Sequence, residues 1–551
     1  MLKIKSAIIL TGISLLLPFA GKAQQQGNLG DEQINVVKAY QPMLSDAFKI
    51  SDVPSRDTSV TYVPDMTYDV RPVKFPTVYT ISPIKPLRIK DENIKKLYHG
   101  FAKAGYGTKN TPYAELFYNS LRSKNMDAGV HMNHISSSGK IKNYGHPGMS
   151  ETGIKLFGTR FFDNSKLGGE IGYNRLKYHW YGYNKPPDIF SKSATKRSFD
   201  DIYGSFFLKS NDRDKDLMQY KATVTFYDFS DNRKNQESDL KINGMAGKQF
   251  DAFDLSANLE FDFLKYQTEF FKTDDRTIIR IDPRFVKEWD RFVLTAGANI
   301  PIEINDLTKY HLYPHARVDI KLVEETMSMY AQLSGNLERN SFRNLARENP
   351  FLGESIVLKN SNNKLDVSAG FKFKVDNQLA FIGSFSMQRY NDDAFYFNYF
   401  DQSTLVKYNV VYDNNTRTNI HLEVVYDQGD KAGVTVSADY FGNKPSREDE
   451  ALFRPDFKIG AKGYYTIGEK IYANAHLNYT GARNYVKYQL IGYDYDELKG
   501  FVDAGIGVDY RYSKVLSVWL QINNVTASKY SRWYNYPSYG FGGLVGLSYS
   551  F

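Results

Sequence analysis

The sequence contains no cysteine and, beyond its first residues, no long apolar run. With 0 Cys among 551 residues, disulfides, thiolate metal sites and lipid attachment at a signal-cleavage cysteine are all excluded. No stretch of about 18 apolar residues follows Phe19, so no membrane-spanning helix is predicted. If the chain resides in a membrane, it must cross with strands.

Charge of one sign and catalytic motifs are also scarce. The formal net charge is +8, and removal of Lys3, Lys5 and Lys22 with a leader would leave +5. Nucleic-acid binding requires basic residues concentrated on one face, so no nucleic-acid partner is predicted. No nucleophile motif, paired-carboxylate motif or set of metal ligands stands out. The sequence therefore predicts no enzyme, no catalytic residue, no metal and no other cofactor.

The first residues have the pattern of a secretory signal. Two lysines precede an apolar run from Ala7 to Phe19, and Ala23 provides a small residue for cleavage. The sequence thus predicts a signal peptide over residues 1–23 and an exported mature chain.

The end of the chain alternates with period 2. Val545, Leu547, Tyr549 and Phe551 share one apolar, aromatic face, whereas small and hydroxylic residues occupy the other. A strand needs this pattern when lipid lies on one side and a wet lumen on the other. Only a closed barrel satisfies all backbone hydrogen bonds in lipid. We interpret Tyr549 and Phe551 as the barrel-insertion signal.

The same alternation continues from Tyr98 to the end. It predicts an all-β fold, a transmembrane antiparallel β-barrel of about 22 strands over residues 97–551, with 20 or 24 as alternatives. Short turns are assigned to the periplasmic side and long connections to the outside. The predicted outer loops are residues 136–149, 181–197, 340–362, 391–415, 441–454, 480–499 and 525–537.

Residues 24–96 differ from the barrel because they hold seven of the 19 prolines. Each proline lacks a backbone donor and restricts the residue before it, so this segment cannot supply barrel strands. We predict an extended periplasmic or luminal arm. A barrel of about 22 strands is too wide for side chains to fill, so its lumen must be open or occupied.

The C-terminal segment resembles a known family. Val515 to Asn524, followed by Lys529, Tyr530 and the strand that ends at Phe551, is similar to the C-terminal signature of TonB-dependent receptor barrels. The resemblance implies an outer-membrane receptor or transporter with a folded plug, but residues 24–96 are too short and too rich in proline to form one. The expected function is thus a plug-less receptor or transport barrel. The alternative is a non-transporting scaffold that docks lipoprotein, assembly or secretion partners through its arm and outer loops.

One short segment of the arm resembles a TonB box. Residues 31–40 run from acidic to aliphatic, as an extended peptide does when it pairs by strand addition with an energising protein. Alternatively, the segment pairs with another periplasmic protein or lies against the barrel. The candidate partner-binding residues are Ile34, Asn35, Val36, Val37, Lys38 and Ala39.

Two aromatic groups fall in predicted outer loops and are candidates for ligand or partner contact. Aromatic side chains give a large contact area at low entropic cost. The alternative is an interfacial girdle that continues above the membrane. The candidates are Tyr178, Trp180, Tyr181, Tyr183, Phe395, Tyr396 and Tyr399.

These features together predict the outer membrane of a diderm bacterium as the location. The expected partners are outer-membrane lipid, lipopolysaccharide and the barrel-assembly machinery. A periplasmic energy-coupling protein or a surface lipoprotein is a further candidate.

Overall fold

The computed structural model describes residues 97–551 apart from 122, 184–189, 212–216, 271–273, 402–403 and 490. Within this part of the chain, 22 antiparallel strands close into a barrel, which confirms the predicted fold. A short extra strand, β12, pairs beside β11, so the continuous sheet contains 23 strands. The predicted signal peptide and arm lie outside the described residues.

The strands follow one another around the barrel in chain order. The first eleven are β1 Gly100–Gly107, β2 Thr111–Asn119, β3 Met126–Ser137, β4 Met149–Phe161, β5 Ser165–His179, β6 Lys196–Ser210, β7 Gln219–Asp231, β8 Gln236–Gln249, β9 Asp254–Gln267, β10 Asp274–Glu288 and β11 Phe292–Ile304. The next nine are β12 Thr308–Tyr310, β13 Tyr313–Val323, β14 Met327–Glu338, β15 Ser361–Lys374, β16 Leu379–Asp401, β17 Leu405–Asp427, β18 Ala432–Pro445, β19 Phe457–Ile467 and β20 Ile471–Thr480. The last seven are β21 Arg483–Tyr488, β22 Tyr493–Leu498, β23 Phe501–Arg511, β24 Leu516–Asn523, β25 Ser531–Trp533, β26 Tyr536–Pro537 and β27 Gly542–Ser550.

The barrel closes where β27 pairs with β1. The antiparallel register runs from Phe101 opposite Ser550 to Gly107 opposite Leu544. At the periplasmic end, the Gly100 N–H donates to the Phe551 carbonyl at 2.8 Å and the Phe551 N–H donates back at 2.9 Å. The sheet therefore has no unpaired edge at this seam, as a bilayer requires.

The two faces of the wall have the expected chemistry. Val545, Leu547 and Tyr549 are exposed on the outside by 54%, 54% and 49%, which matches a lipid-facing belt. Charged side chains line the inside, where Arg280 pairs with Glu260 of the next strand at 2.7 Å. The predicted alternation of an apolar outer face and a polar lumen is confirmed.

The predicted long outer connections are present with one error, whereas two other outer connections, residues 108–110 and 232–235, are short. The structure contains no loop over residues 391–415, because β16 and β17 continue through most of this range as a paired hairpin. Its residues gave no clear lipid-facing alternation because they lie above the membrane, where both faces of the hairpin pack against protein. Two short helices, α1 Lys192–Thr195 and α2 Phe342–Glu348, lie in outer connections. Among the described residues, no helix has the length and apolarity needed to span a bilayer.

Candidate functional site

A hairpin that we call the arch, residues 393–413, rises from the outer edge of the barrel. β16 and β17 have 23 residues each, whereas about 9–11 suffice for a membrane crossing. Their last pairings with the barrel are Asn391 with Asn362 of β15 and Asn415 with Pro445 of β18. Beyond these positions their ladder pairing is with each other, apart from an isolated parallel bridge between Tyr408 and Leu352. A register shift between Tyr390 and Asp393, with φ of 53° at Asp392, marks where the arch leaves the wall.

The arch reaches the opposite wall. Its nine residues per strand span about 30 Å at 3.3 Å per residue. Near its tip, the Val406 N–H donates to the Gly182 carbonyl at 3.1 Å. Gly182 follows the fifth barrel strand, and Val406 lies on β17, the sixteenth once β12 is left out. The two positions are eleven strands apart, which is half of the way around a barrel of 22 strands. The arch therefore crosses the mouth.

A second connection, which we call the cross-loop, residues 339–360, also enters the mouth. It joins β14 to β15 and contains α2, whose N-cap Ser341 accepts a hydrogen bond from the Asn344 N–H at 3.1 Å. The Glu237 carboxylate on β8 accepts from the backbone N–H groups of Phe342 and Arg343 at 2.6 and 3.0 Å. A carboxylate is favourable there because the first helical N–H groups have no partner in the helix.

Buried ion pairs hold the cross-loop to the wall formed by β6 to β9. The Asp201 carboxylate, with no exposed surface, binds the Arg343 guanidinium at 2.9 and 3.0 Å and also binds Arg347. Arg339 binds Asp262 of β9 at 3.0 Å. Desolvated pairs of this kind are strongly coupled, because removal of one partner leaves the other charge buried alone. The cross-loop is therefore fastened to a wall distant from its own strands.

Apolar side chains of the arch, the cross-loop and several outer connections form one core, and we call the whole assembly the cap. Phe351 stacks on Tyr536 with ring centroids 3.7 Å apart. Tyr408 contacts Trp533 at 5.3 Å and donates to the Tyr534 carbonyl at 2.9 Å. Burial raises the pKa of Tyr536 well above its usual value, so its hydroxyl stays neutral. The buried core comprises Trp180, Tyr183, Phe199, Phe229, Leu264, Tyr266, Phe342, Leu345, Ala346, Phe351, Leu352, Ile356, Leu358, Tyr396, Leu405, Val406, Tyr408, Val410, Leu452, Phe453, Val486, Trp533 and Tyr536.

A charged cluster that we call the latch, Asp393, Arg417 and Arg454, lies at the base of the arch. Arg417 Nε and Arg454 Nη1 donate to one Asp393 oxygen at 2.9 and 2.7 Å, and both guanidinium groups also reach the other oxygen. Burial would raise the pKa of Asp393, but the two guanidinium groups lower it below its usual value. The latch is therefore fully formed above the ordinary carboxyl pKa, and its stabilisation is lost as the pH falls through the lowered value.

A cavity of about 170 Å³ lies beside the latch, between α2 and the arch. Its wall includes Glu338, Glu348, Tyr396, Arg417 and Arg454. Tyr396 donates to Glu348 at 2.9 Å, so the two groups satisfy each other in the wall. This small polar space lies at the base of the arch.

The latch gives a first testable expectation for Asp393→Asn. Loss of a buried charge with two guanidinium partners costs about 3–5 kcal/mol. We expect amide hydrogen exchange over residues 393–413 to accelerate roughly a hundredfold or more, because local opening governs that exchange. The matched control is Asp392→Asn, since the neighbouring carboxylate is 49% exposed and pairs with Lys359 at 3.4 Å. Such a surface pair contributes about 0–1 kcal/mol. Equal exchange in the two variants would contradict the latch.

The predicted site residues fall in different places. Tyr178 lies on β5, one residue before its end, and Phe395, Tyr396 and Tyr399 lie on β16, so their assignment to loops was wrong. For the three residues of β16, the reason is the same as for the 391–415 loop. Trp180, Tyr181 and Tyr183 lie in a connection as predicted, and they pack into or against the cap core. A ligand or partner role for these aromatics stays a prediction. Residues 34–39 lie outside the described part of the chain. Tyr549 faces lipid and Phe551 closes the seam.

The sequence predicted the outer loop over residues 340–362, but not that it enters the mouth as the cross-loop, nor the residues that fasten it. The aromatic segment Trp533 to Tyr536 was a usable signal, because four successive positions in a predicted outer loop include three aromatic residues. No comparable signal marks Asp201, since its partner Arg343 is 142 positions away.

Comparisons with known proteins place the barrel among solved structures. No family model and no curated protein matches the sequence. The FrpB iron transporter from Neisseria meningitidis superposes with a TM-score of 0.65 at 12% identity, covering 83% of this chain and 82% of that one. The siderophore receptor PirA from Acinetobacter baumannii gives 0.64 at 12%, covering 84% and 81%. A ferric enterobactin receptor, PfeA, from Pseudomonas aeruginosa gives 0.64 at 13%, covering 83% and 82%.

This is the barrel fold of the TonB-dependent receptors. The shared fold confirms the resemblance seen at the C-terminus and places the protein in the outer membrane. At 12–13% identity, the likeness establishes the fold but does not identify a ligand for this chain.

Proposed function

We propose that the protein is an outer-membrane receptor or transport barrel that lacks a folded plug and whose cap is the outer gate of a solute path. The observation that carries this proposal is the cap across the mouth of a 22-strand barrel. A barrel of that size encloses more space than its side chains fill. A wide polar lumen whose outer end is covered by tethered loops could conduct a solute when those loops open.

The structural neighbours support this class of function. They are an iron transporter and two receptors for siderophores, and all superpose over more than four fifths of their length. None is an enzyme by name, and we propose a non-catalytic role here.

Opening the cap would require work, since buried ion pairs hold it closed. We propose that the energy for opening is delivered through residues 34–39, which add a strand to a periplasmic energy-coupling protein. Strand addition relies on backbone hydrogen bonds, so it tolerates an extended segment of mixed sequence such as Ile34 to Ala39.

One observation favours the alternative function, a scaffold without a solute. The outer mouth is covered by an interlocked core in which the predicted loop aromatics are largely buried, and a permanently covered barrel needs no passage. In that role, the arm and outer loops would dock lipoprotein, assembly or secretion partners.

The deciding experiment replaces Val36 and Val37 by proline in the full-length chain. Proline lacks the N–H that strand addition needs. With a photo-cross-linker at Gln33, we expect the energy-coupling protein to be captured in native membranes by the parent chain but lost in the double variant. The conductance of purified protein in planar bilayers is expected to stay unchanged, because the cap is untouched.

A matched control places the two prolines at Gln25 and Gln26, outside the candidate segment. Capture of the energy-coupling protein by both proline variants would refute the coupling role. Capture of an assembly or secretion component in its place would favour the scaffold.

A further inference from the structure

The inner wall of the barrel is chemically uneven. Aromatic side chains point inward from β24, β2, β4 and β6, strands that lie side by side once β27, β1, β3 and β5 are included. We call this surface the aromatic wall. Its members are Tyr113, Phe117, Phe157, Tyr203, Phe207 and Trp519.

These rings pack closely on their surroundings: Trp519 is only 3% exposed, and Phe117 stacks on the His131 ring with centroids 3.9 Å apart. A Cβ atom placed on Gly129 would be 2.5 Å from the Phe157 ring, and one on Gly172 would be 2.4 Å from the Tyr203 ring. Phe207 covers Gly168 in the same manner, with 2.6 Å to the ring. Glycine therefore allows these three inward rings to approach the backbone closely, and all three remain partly exposed.

Polar groups are interleaved with the rings. Tyr113 donates to Glu115 at 2.8 Å, and Glu115 lies 3.1 Å from the His131 ring nitrogen. Farther along the wall, Lys155 pairs with Glu170 at 3.5 Å. The surface therefore offers apolar ring faces beside hydrogen-bonding groups.

The part of the opposite wall formed by β16 to β18 is more polar in its middle. β16 directs Ser384 and Ser386 inward, facing His421 and Asn419 of β17, and Asp439 of β18 binds His421 at 2.7 Å. A water-filled lumen favours such polar residues everywhere. The aromatic wall departs from that expectation and leaves Phe117 37% exposed.

We propose that the aromatic wall binds neutral oligosaccharides that enter the lumen. A sugar ring has apolar C–H faces and a rim of hydroxyls, which match flat aromatic rings and the interleaved polar side chains. The inference rests on the proposed transport function and names the substrate class of that path. Planar aromatic solutes would use the ring faces alone, whereas sugar hydroxyls would also hydrogen-bond to the carboxylates beside the rings.

The test is equilibrium binding of maltohexaose and cellohexaose to the full-length protein, by calorimetry, in a detergent without a sugar headgroup. We expect at least one hexaose to bind, and Phe117→Ala and Phe157→Ala each to weaken it about fivefold or more by removing a stacking face. The matched control is Tyr330→Ala, an inward aromatic of β14 that lies over Gly370 outside this wall, and binding there is expected to be unchanged.

Several results would overturn the inference: no binding of either hexaose even when the cap is opened, equal weakening by the control, or binding of p-nitrophenol in place of the sugars. If opening the cap yields conductance while sugars fail to bind, the transport function stands and this inference falls. If sugars bind while no opened variant conducts, the binding role of the aromatic wall is supported and the transport function is refuted.

Discussion

Asp201→Asn is expected to open the outer mouth of the barrel. The Asp201 side chain is fully buried and binds two arginines of the cross-loop, Arg343 and Arg347. Asparagine keeps the shape but removes the counter-charge of Arg343, which is 18% exposed, and of Arg347, which is 40% exposed, at a cost of about 3 kcal/mol to the closed cap, the lower end for a buried pair. A loss of about 3 kcal/mol corresponds to roughly a hundredfold rise in the open-to-closed ratio. Single-channel conductance in planar bilayers measures this directly.

The neighbouring residue supplies a matched control. Asp200 has the same chemistry on the outer face of β6, where it accepts from Tyr173 at 2.5 Å and lies 3.4 Å from Arg175, with its side chain 36% exposed. A surface pair contributes about 0–1 kcal/mol, so Asp200→Asn is expected to conduct like the parent. If Asp201→Asn remains folded and its conductance equals that of Asp200→Asn, the cap is not the barrier.

The same measurement also shows whether the cap or the N-terminal arm, residues 24–96, blocks the lumen. A cap that closes the mouth without help predicts that removal of residues 24–96 from the parent leaves conductance low. The same deletion combined with Asp201→Asn would then conduct. A leak caused by the deletion alone would move the barrier from the outer loops to the arm.

The barrel could be predicted from the sequence because lipid imposes a local rule. Alternate residues of each strand face lipid, so Val545, Leu547 and Tyr549 reveal their strand without knowledge of any other part of the chain. Short turns have similarly local signals. Both features can be recognised in a single sequence, and counting them gives the number of strands.

The cap could not be predicted in the same way, because its interactions join distant positions. Val406 meets Gly182 across the mouth, and Asp201 meets Arg343, with more than 140 positions between the partners in each pair. Above the membrane the arch packs protein on both faces, so Phe395 and Tyr396 lose the alternation that marks a strand in lipid. Aromatic density at these positions indicated importance but not burial.

Gly546→Ala is expected to prevent the barrel from closing. A Cβ atom at Gly546 would lie 2.1 Å from the Ala104 carbonyl oxygen and 2.6 Å from the Trp519 ring. The carbonyl cannot move away without breaking the seam, where Gly105 pairs with Gly546. An open seam would leave backbone groups unpaired in lipid at several kcal/mol each. We expect the heat-modifiable folded form to fall about tenfold or more on electrophoresis, with a matching loss from the outer-membrane fraction.

Gly542→Ala makes the same change on the same strand and face, and therefore isolates the seam contact. Its added methyl group would meet only Thr108 Oγ1, at 3.7 Å, an ordinary van der Waals distance. We expect this control to fold and accumulate like the parent. Equal accumulation of both variants would show that the seam can shift to accept a side chain at Gly546. Closure would then depend on the remaining pairs between Phe101 and Gly107 of β1 and their partners on β27, rather than on the close approach beneath Trp519.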